Sequence, residues 1–464
     1  MHKISTLDNG LRIVTQNMPS LETVSMGIWN SVGGRDELEN INGVAHLLEH
    51  MAFKGTTKRS ALEIAETIEN VGGDINAYTS KEITAYYVKL IAEDLPLGID
   101  ILTDILQNSV FAEKELNRER GVILQEIGMY LDDPAQMVGD YWQRTAFPNQ
   151  SIGRLIIGKK KIIQSIEREK IVNFMQNNYH PTKMVVSAAG KINHDEFVEQ
   201  IMNSMNNLPQ GKIDNRIKAT YKGGEYREEK ELEQIHLVLG FEGLNCHDDD
   251  YDALRVYSAI MGKGGSSRLF QEIREKRGLV YGIGAGSEFF SDTGTFQVIA
   301  GTGKSEIKEL LPVLCEELIN SPKNLKEQEI EKSKAQLKTS TLMSIESTMA
   351  NAMTSAYELL HYEKLVDLDE KMTFGTKRIP GAMKKKGMEF HFQTAVQNVE
   401  NTGKKTIVTA KDKDGKELKI EADYTLVSVG RRPFTEGLNL DAAGVKMDDR
   451  SRVDVNEHLQ TNVS

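Results

Sequence analysis

The chain has 464 residues, 57 of them basic and 68 acidic, for a formal net charge of −11, and 39% of its residues are hydrophobic. That length holds about two to four domains with cores of their own, and the acidic balance argues against general nucleic-acid binding. No apolar run approaches the roughly 20 residues of a membrane span, and the two cysteines, Cys246 and Cys315, form neither a C-x-x-C pair nor a disulfide framework.

In chain order, the N-terminus reads as strand–turn–strand across Asp8-Asn9-Gly10 and has no hydrophobic signal core. The expected compartment is a bacterial cytoplasm, with a mitochondrial matrix as the alternative. The next element is a helix, with Asn42 as its expected cap and Gly55 ending it. Within it, His46-Leu47-Leu48-Glu49-His50 forms H-x-x-E-H. Residues four apart share a helix face, so His46 and His50 can present two imidazole nitrogens to one metal ion. Glu49 lies near the same face, where it can act as a base toward water. Two surface or core histidines on an ordinary helix are the plainer alternative.

A catalytic zinc site needs a third protein ligand and one open position. The segment Glu113–Tyr130 reads as a second helix, ended by Asp132-Asp133-Pro134. Glu119 and Glu126 lie seven apart on it, two turns along one face. One can ligate a metal while the other braces a histidine; an isolated pair at this spacing is more often solvated surface.

With these residues in place, the stretch from about Leu11 to Asp133 resembles the pitrilysin family of zinc peptidases, and within it the mitochondrial processing peptidase-like group. The matching pieces are Ser31-Val32-Gly33-Gly34-Arg35-Asp36-Glu37, HLLEH followed by Met51-Ala52-Phe53-Lys54-Gly55-Thr56, Asn76-Ala77-Tyr78-Thr79-Ser80 with Glu82, and Glu119 through Glu126. The resemblance implies one Zn2+ per chain held by His46, His50 and Glu126, with Glu119 supporting the site and Glu49 as general base. It also implies that the strand around Asn76 and Ala77 binds an extended peptide by strand addition. Asn76 can equally be read as a turn residue.

Strand Met184–Ala189 and a helix from His194 complete a first α+β domain, residues 1–212. The polar stretch Pro209–Gly224 reads as a linker. A second α+β pattern, residues 213–372, follows: strand Ile235–Phe241, helices Asp249–Met261 and Ser267–Lys276, strands Val280–Phe289 and Gly294–Gly301, and helices Glu306–Ile319 and Leu325–Tyr362. At the position of HLLEH it reads Val256-Tyr257-Ser258-Ala259-Ile260, without metal ligands. The fold expected is two homologous α/β-sandwich halves, each an antiparallel-rich sheet with helices on one face, the second half truncated. In the family resembled, an Arg and a Tyr seven apart in the second half reach the active site, which implies catalytic and substrate contacts for Arg274 and Tyr281. Taken alone, Arg274 is one charge on a polar helix and Tyr281 a core aromatic. The short-chain members of the family close their chamber with a second subunit, so a homodimer or a heterodimer with a related subunit is expected.

After about Met372 the text changes. A hairpin pattern through Lys405–Ile420 turns at Asp414-Gly415, and Thr425-Leu426-Val427-Ser428-Val429-Gly430 precedes Arg431-Arg432-Pro433. Residues 373–464, from about Pro380 onward, resemble a fragment of the nicotinamide domain of dihydrolipoamide dehydrogenase. No G-x-G-x-x-G follows a strand upstream, no closely spaced cysteine pair is present, and the second flavin-contacting motif of that group is not found before Ser464. The tail is therefore expected to be β-rich and without activity of its own. The function expected is a zinc metalloendopeptidase acting on unfolded or presequence-like peptides. The alternatives are a non-catalytic partner subunit, against which the complete HLLEH and Glu126 set argues, and a flavin- and NAD-dependent oxidoreductase, against which the missing motifs argue.

Overall fold

The computed structural model describes residues 2–205, 207–209, 216–372, 395–402, 405–411 and 415–422. The first half runs β1 His2–Thr6, β2 Arg12–Asn17, β3 Thr23–Asn30, α1 Val44–Ala52, α2 Ala61–Glu69, β4 Asp74–Thr79, β5 Thr84–Ile91, α3 Leu95–Gln107, α4 Glu113–Leu131, α5 Pro134–Ala146, α6 Lys160–Ser165, α7 Arg168–Asn178, β6 Met184–Gly190 and α8 His194–Ser204. The turn between β1 and β2 uses Gly10 at φ +87°, where a glycine avoids the penalty of a left-handed backbone. Asp133 accepts from the N–H groups of Ala135 and Gln136, and Pro134 opens α5, so the Asp-Asp-Pro stop of α4 is also the start of its neighbour.

These strands form one six-stranded sheet in the order β1-β2-β6-β3-β5-β4. Only β2–β6 is parallel; the other pairs are antiparallel. Because side chains alternate across a strand, Ile28, Tyr86 and Val186 enter the main core with α1, α3 and α4, while Trp29, Ala85 and Val185 point to the opposite face.

The second half repeats the central pattern: β7 Ile235–Glu242, α9 Tyr251–Gly262, β8 Gly282–Phe289, β9 Gly294–Thr302, α10 Ile307–Asn324, α11 Glu327–Ser344, α12 Thr348–Tyr362 and α13 Leu368–Met372. Its sheet has the order β7-β9-β8, antiparallel throughout, and corresponds to β3-β5-β4. Among the described residues β7 pairs with β9 alone, and all eight of its residues are half-buried, whereas β3 is buried along seven of its eight. The single helix expected over Leu325–Tyr362 is broken at Ile345–Ser347, where the Ser347 hydroxyl accepts from Ala350 N–H and starts α12. The helix expected over Ser267–Lys276 is a π-helical turn at Phe270–Glu275.

After that break, α12 covers the second face of the first-half sheet, in addition to the helices on the first face. Ala352, Ala356 and Leu359 pack on Val14, Trp29, Ala85, Val185 and Ala189. Arg12 donates to Leu359 O at 2.6 Å and Ser187 to Ala352 O at 2.7 Å. Being paired on both edges and covered on both faces, β6 is buried at every residue.

The segment read as a linker is exposed over much of its described length but is pinned at Arg216 and Ala219. Arg216 bonds to Asp36 and to the carbonyls of Ser31 and Glu82, and Ala219 N–H to Asp292. Buried Arg35 joins Glu82 (2.6 Å) to Asp292 (2.8 Å), and Ser291 donates to Glu82. The β8–β9 turn is thereby fixed to the loops around α1.

The chain divides into two compact units, Met1–Ile307 with Pro322–Met388, and Lys308–Ser321 with Glu389–Ser464. In the second, β10 Ala395–Asn401, β11 Thr406–Lys411 and β12 Glu417–Ala422 form an antiparallel sheet in sequence order. The expected hairpin is β11–β12, with Gly415 at φ +80°. The TLVSVG and GRRP segments lie outside the described residues. No helix among the described residues is long and apolar enough to cross a membrane.

Candidate metal centre

Helix α1 buries Val44, Ala45, Leu47, Leu48, Met51 and Ala52 in the core, which leaves His46, Glu49 and His50 on the opposite face. Its N-terminus is not capped by Asn42. The Asn42 amide donates to Glu37 Oε2 and Leu155 O, and its Oδ1 takes no N–H of the helix. The acceptor is Glu37, buried to 3% exposure, which takes the N–H groups of Gly43 and Ala45, each at 2.8 Å. Burial pushes the Glu37 carboxyl up to about 7, against the lowering effect of its three donors. Gly43 itself sits at φ +98°, and a Cβ there would lie 2.6 Å from Ile163 Cδ1.

Helix α4 crosses beside α1 and supplies both predicted glutamates. His46 Nε2 lies 3.8 Å from Glu126 Oε1, and His50 Nε2 lies 3.9 Å from Glu126 Oε2. One donor atom from each of these three residues falls within 4.8 Å of the others, the one such group among the described residues. Two imidazoles with one carboxylate are a donor set suited to zinc. Burial, and then the neighbouring His50, lower the His46 pKa to about 4. Its imidazole is therefore neutral at pH 7 and free to ligate. Glu119, 5% exposed, accepts at His50 Nδ1 (3.0 Å) and at Lys54 Nζ (2.9 Å), orienting the His50 ring so that Nε2 faces Glu126.

Glu49 stands beside this group. Its carboxyl is raised above the ordinary carboxylate value, chiefly by burial and also by the charge of Glu126; hydrogen bonding from Thr79 and the proximity of His50 oppose the rise. Asn76 and Ala77 lie on β4, the outer strand, whose partner among the described residues is β5 alone. The Asn76 side chain accepts from Ala77 N–H at 2.8 Å.

Arg274 and Tyr281 are brought together, with the guanidinium 6.0 Å from the Tyr281 ring and 4.6 Å from Phe270. Tyr281 is 80% exposed and so is not a core aromatic. Among the described residues neither bonds to the His46–His50–Glu126 group. Glu37, Lys54 and Thr79 are contacts that the motif reading passes over, although all three fall within its matching pieces.

Compared with known proteins, residues 12–160 match Insulinase (Peptidase family M16), residues 165–337 match the Peptidase M16 inactive domain, and residues 354–464 match Pyridine nucleotide-disulphide oxidoreductase. An uncharacterized zinc protease of Streptomyces coelicolor is 38% identical over 75% of this chain and 78% of its own length. The beta subunit of the mitochondrial processing peptidase of Neurospora crassa is 35% identical over 75% and 76%. A protease structure from Helicobacter pylori superposes with a TM-score of 0.76 at 22% identity, covering 84% of this chain and 97% of that one. Ahead of a C-terminal segment that matches the pyridine nucleotide-disulphide oxidoreductases, the chain belongs to the insulinase family of peptidases, family M16.

Proposed function

We propose that the chain is a zinc endopeptidase that cuts unfolded or presequence-like peptides, with its metal half at residues 1–212 and a second, metal-free half at 213–372. The observation that carries this reading is the convergence of His46, His50 and Glu126 within 4.8 Å, with Glu49 beside them. One zinc ion per chain would be held by those three residues. When bound, zinc supplies the Lewis acidity that activates water and polarises the scissile carbonyl.

The remaining work falls to the chain's own groups. An extended peptide adds to the outer edge of β4 at Asn76 and Ala77, which fixes its register by main-chain hydrogen bonds. Glu49 takes a proton from the attacking water and passes it to the departing amine; its raised carboxyl pKa suits both transfers. Glu119 holds His50 in its ligating orientation. Arg274 and Tyr281, exposed and adjacent, are donors that a second half can present to the carbonyl oxygen as negative charge develops. The copies that act are assigned to a related subunit in a homodimer or heterodimer. The bacterial relatives favour a bacterial cytoplasm. The segment 373–464 takes no part in the chemistry.

The test is cleavage of a quenched, unstructured peptide library by the purified chain, with zinc content measured alongside. Cleavage abolished by a chelator and by Glu49→Gln, with one zinc per chain, is expected. A chain that binds zinc but cuts nothing, alone or with a related subunit, would sink the reading.

A further inference from the structure

Thr79 is the last residue of β4, and its hydroxyl donates to Glu49 Oε2 at 2.6 Å. Side chains alternate along a strand, so Ile75, Ala77 and Thr79 share the face of β4 turned toward α1. Ile75 and Ala77 pack against the core that contains this helix. The position of Thr79 is itself fixed. Ser80 makes a tight turn onto Ile83 through both its N–H and its hydroxyl, and Ser80 O accepts from Gly34 N–H. Glu49 Oε1 makes no hydrogen bond among the described residues. One carboxylate oxygen is tethered and the other is left free.

We propose that Thr79 is a positioning residue, which ties the general base to the strand that binds the peptide. The tether selects the Glu49 rotamer in which Oε1 faces the reacting centre. Because Thr79 lies two residues beyond Ala77 on the same strand, a peptide registered on that edge is registered on Glu49 as well. Base and scissile bond then share one frame of reference, independent of movements between the halves. This inference rests on the peptidase reading above.

The experiment compares Thr79→Val and Thr79→Ser with the wild-type protein. Valine keeps the shape and loses the donor; serine keeps the donor. Thr79→Val is expected to lower kcat by about 10- to 100-fold with KM within about twofold, as a misplaced catalytic group does. Zinc content and melting temperature should stay unchanged, and Thr79→Ser should recover most of the rate. The double variant Thr79→Val with Glu49→Gln should be no slower than Glu49→Gln alone. Crystal structures give a readout without turnover: Glu49 in one conformer on Thr79 in the wild type, and released from it in Thr79→Val. Glu49 unmoved in Thr79→Val, a kcat within twofold of wild type, or Thr79→Ser as slow as Thr79→Val would overturn the proposal. A wild type that cuts nothing would instead count against the peptidase reading, and the Glu49 conformer would still decide the role of Thr79.

Discussion

Glu37 satisfies the first N–H groups of α1 and places a carboxyl where the helix dipole favours negative charge. Its burial gives it a consequence for stability. The folded carboxyl titrates at about 7 against an ordinary 4.5, so between those values the unfolded chain has lost its proton while the folded chain retains it. Stability from this group is full below about pH 4.5, falls as pH rises to about 7, and is level beyond. In urea unfolding across pH 4.5 to 7, the wild type should lose roughly 1–3 kcal/mol relative to Glu37→Gln, which cannot ionise. Parallel curves for the two proteins would refute it. At this scale the sequence is legible only in part. His46 and His50 can be read because helix periodicity brings them to one face, and Glu119 and Glu126 because the stretch resembles the pitrilysin family. The contacts of Glu37 and Thr79 cannot, since they depend on how a loop and a strand end are laid against α1, and spacing along the chain carries no trace of that.

Helix α1 enters its place through a left-handed residue at a crowded point, Gly43 against Ile163 and Gly158. Gly43→Ala is expected to destabilise by about 1–3 kcal/mol, combining an unfavourable φ with steric overlap, and to weaken zinc binding because the helix start must shift. Thermal unfolding with and without metal measures both, and an unchanged melting temperature would contradict the account. Most strands and helices of the second half follow from apolar period and turn residues, as do β1, β2, β4, β6, α1, α4 and α8 of the first. The break at Ile345–Ser347 does not, because no Gly or Pro interrupts residues 325–362. It is set by a serine cap and by the small apolar face of α12, whose destination is a sheet encoded far upstream.

For the whole molecule, this placement of α12 separates the fates of the two halves. The first half has all six strands and a cover on each face by Tyr362. Among the described residues the sheet of the second half ends at β7. Ending the chain after residue 372 should therefore leave zinc binding by the first half intact. Ending it before Thr348 uncovers Val14, Trp29 and Val185, at about 1.5–3 kcal/mol for each large side chain returned to water, and should abolish cooperative unfolding and metal retention. Zinc content and calorimetry of the two truncations check this; equal behaviour would refute it.

The same placement sets a clock on biosynthesis. β6 closes the first-half sheet at Gly190, yet its second face stays bare until Thr348–Tyr362 leave the ribosome. At ordinary elongation rates that interval is on the order of ten to thirty seconds. Throughout it the nascent chain displays Trp29 and its neighbours as an exposed apolar surface, so chaperones have their longest opportunity to bind on the first half.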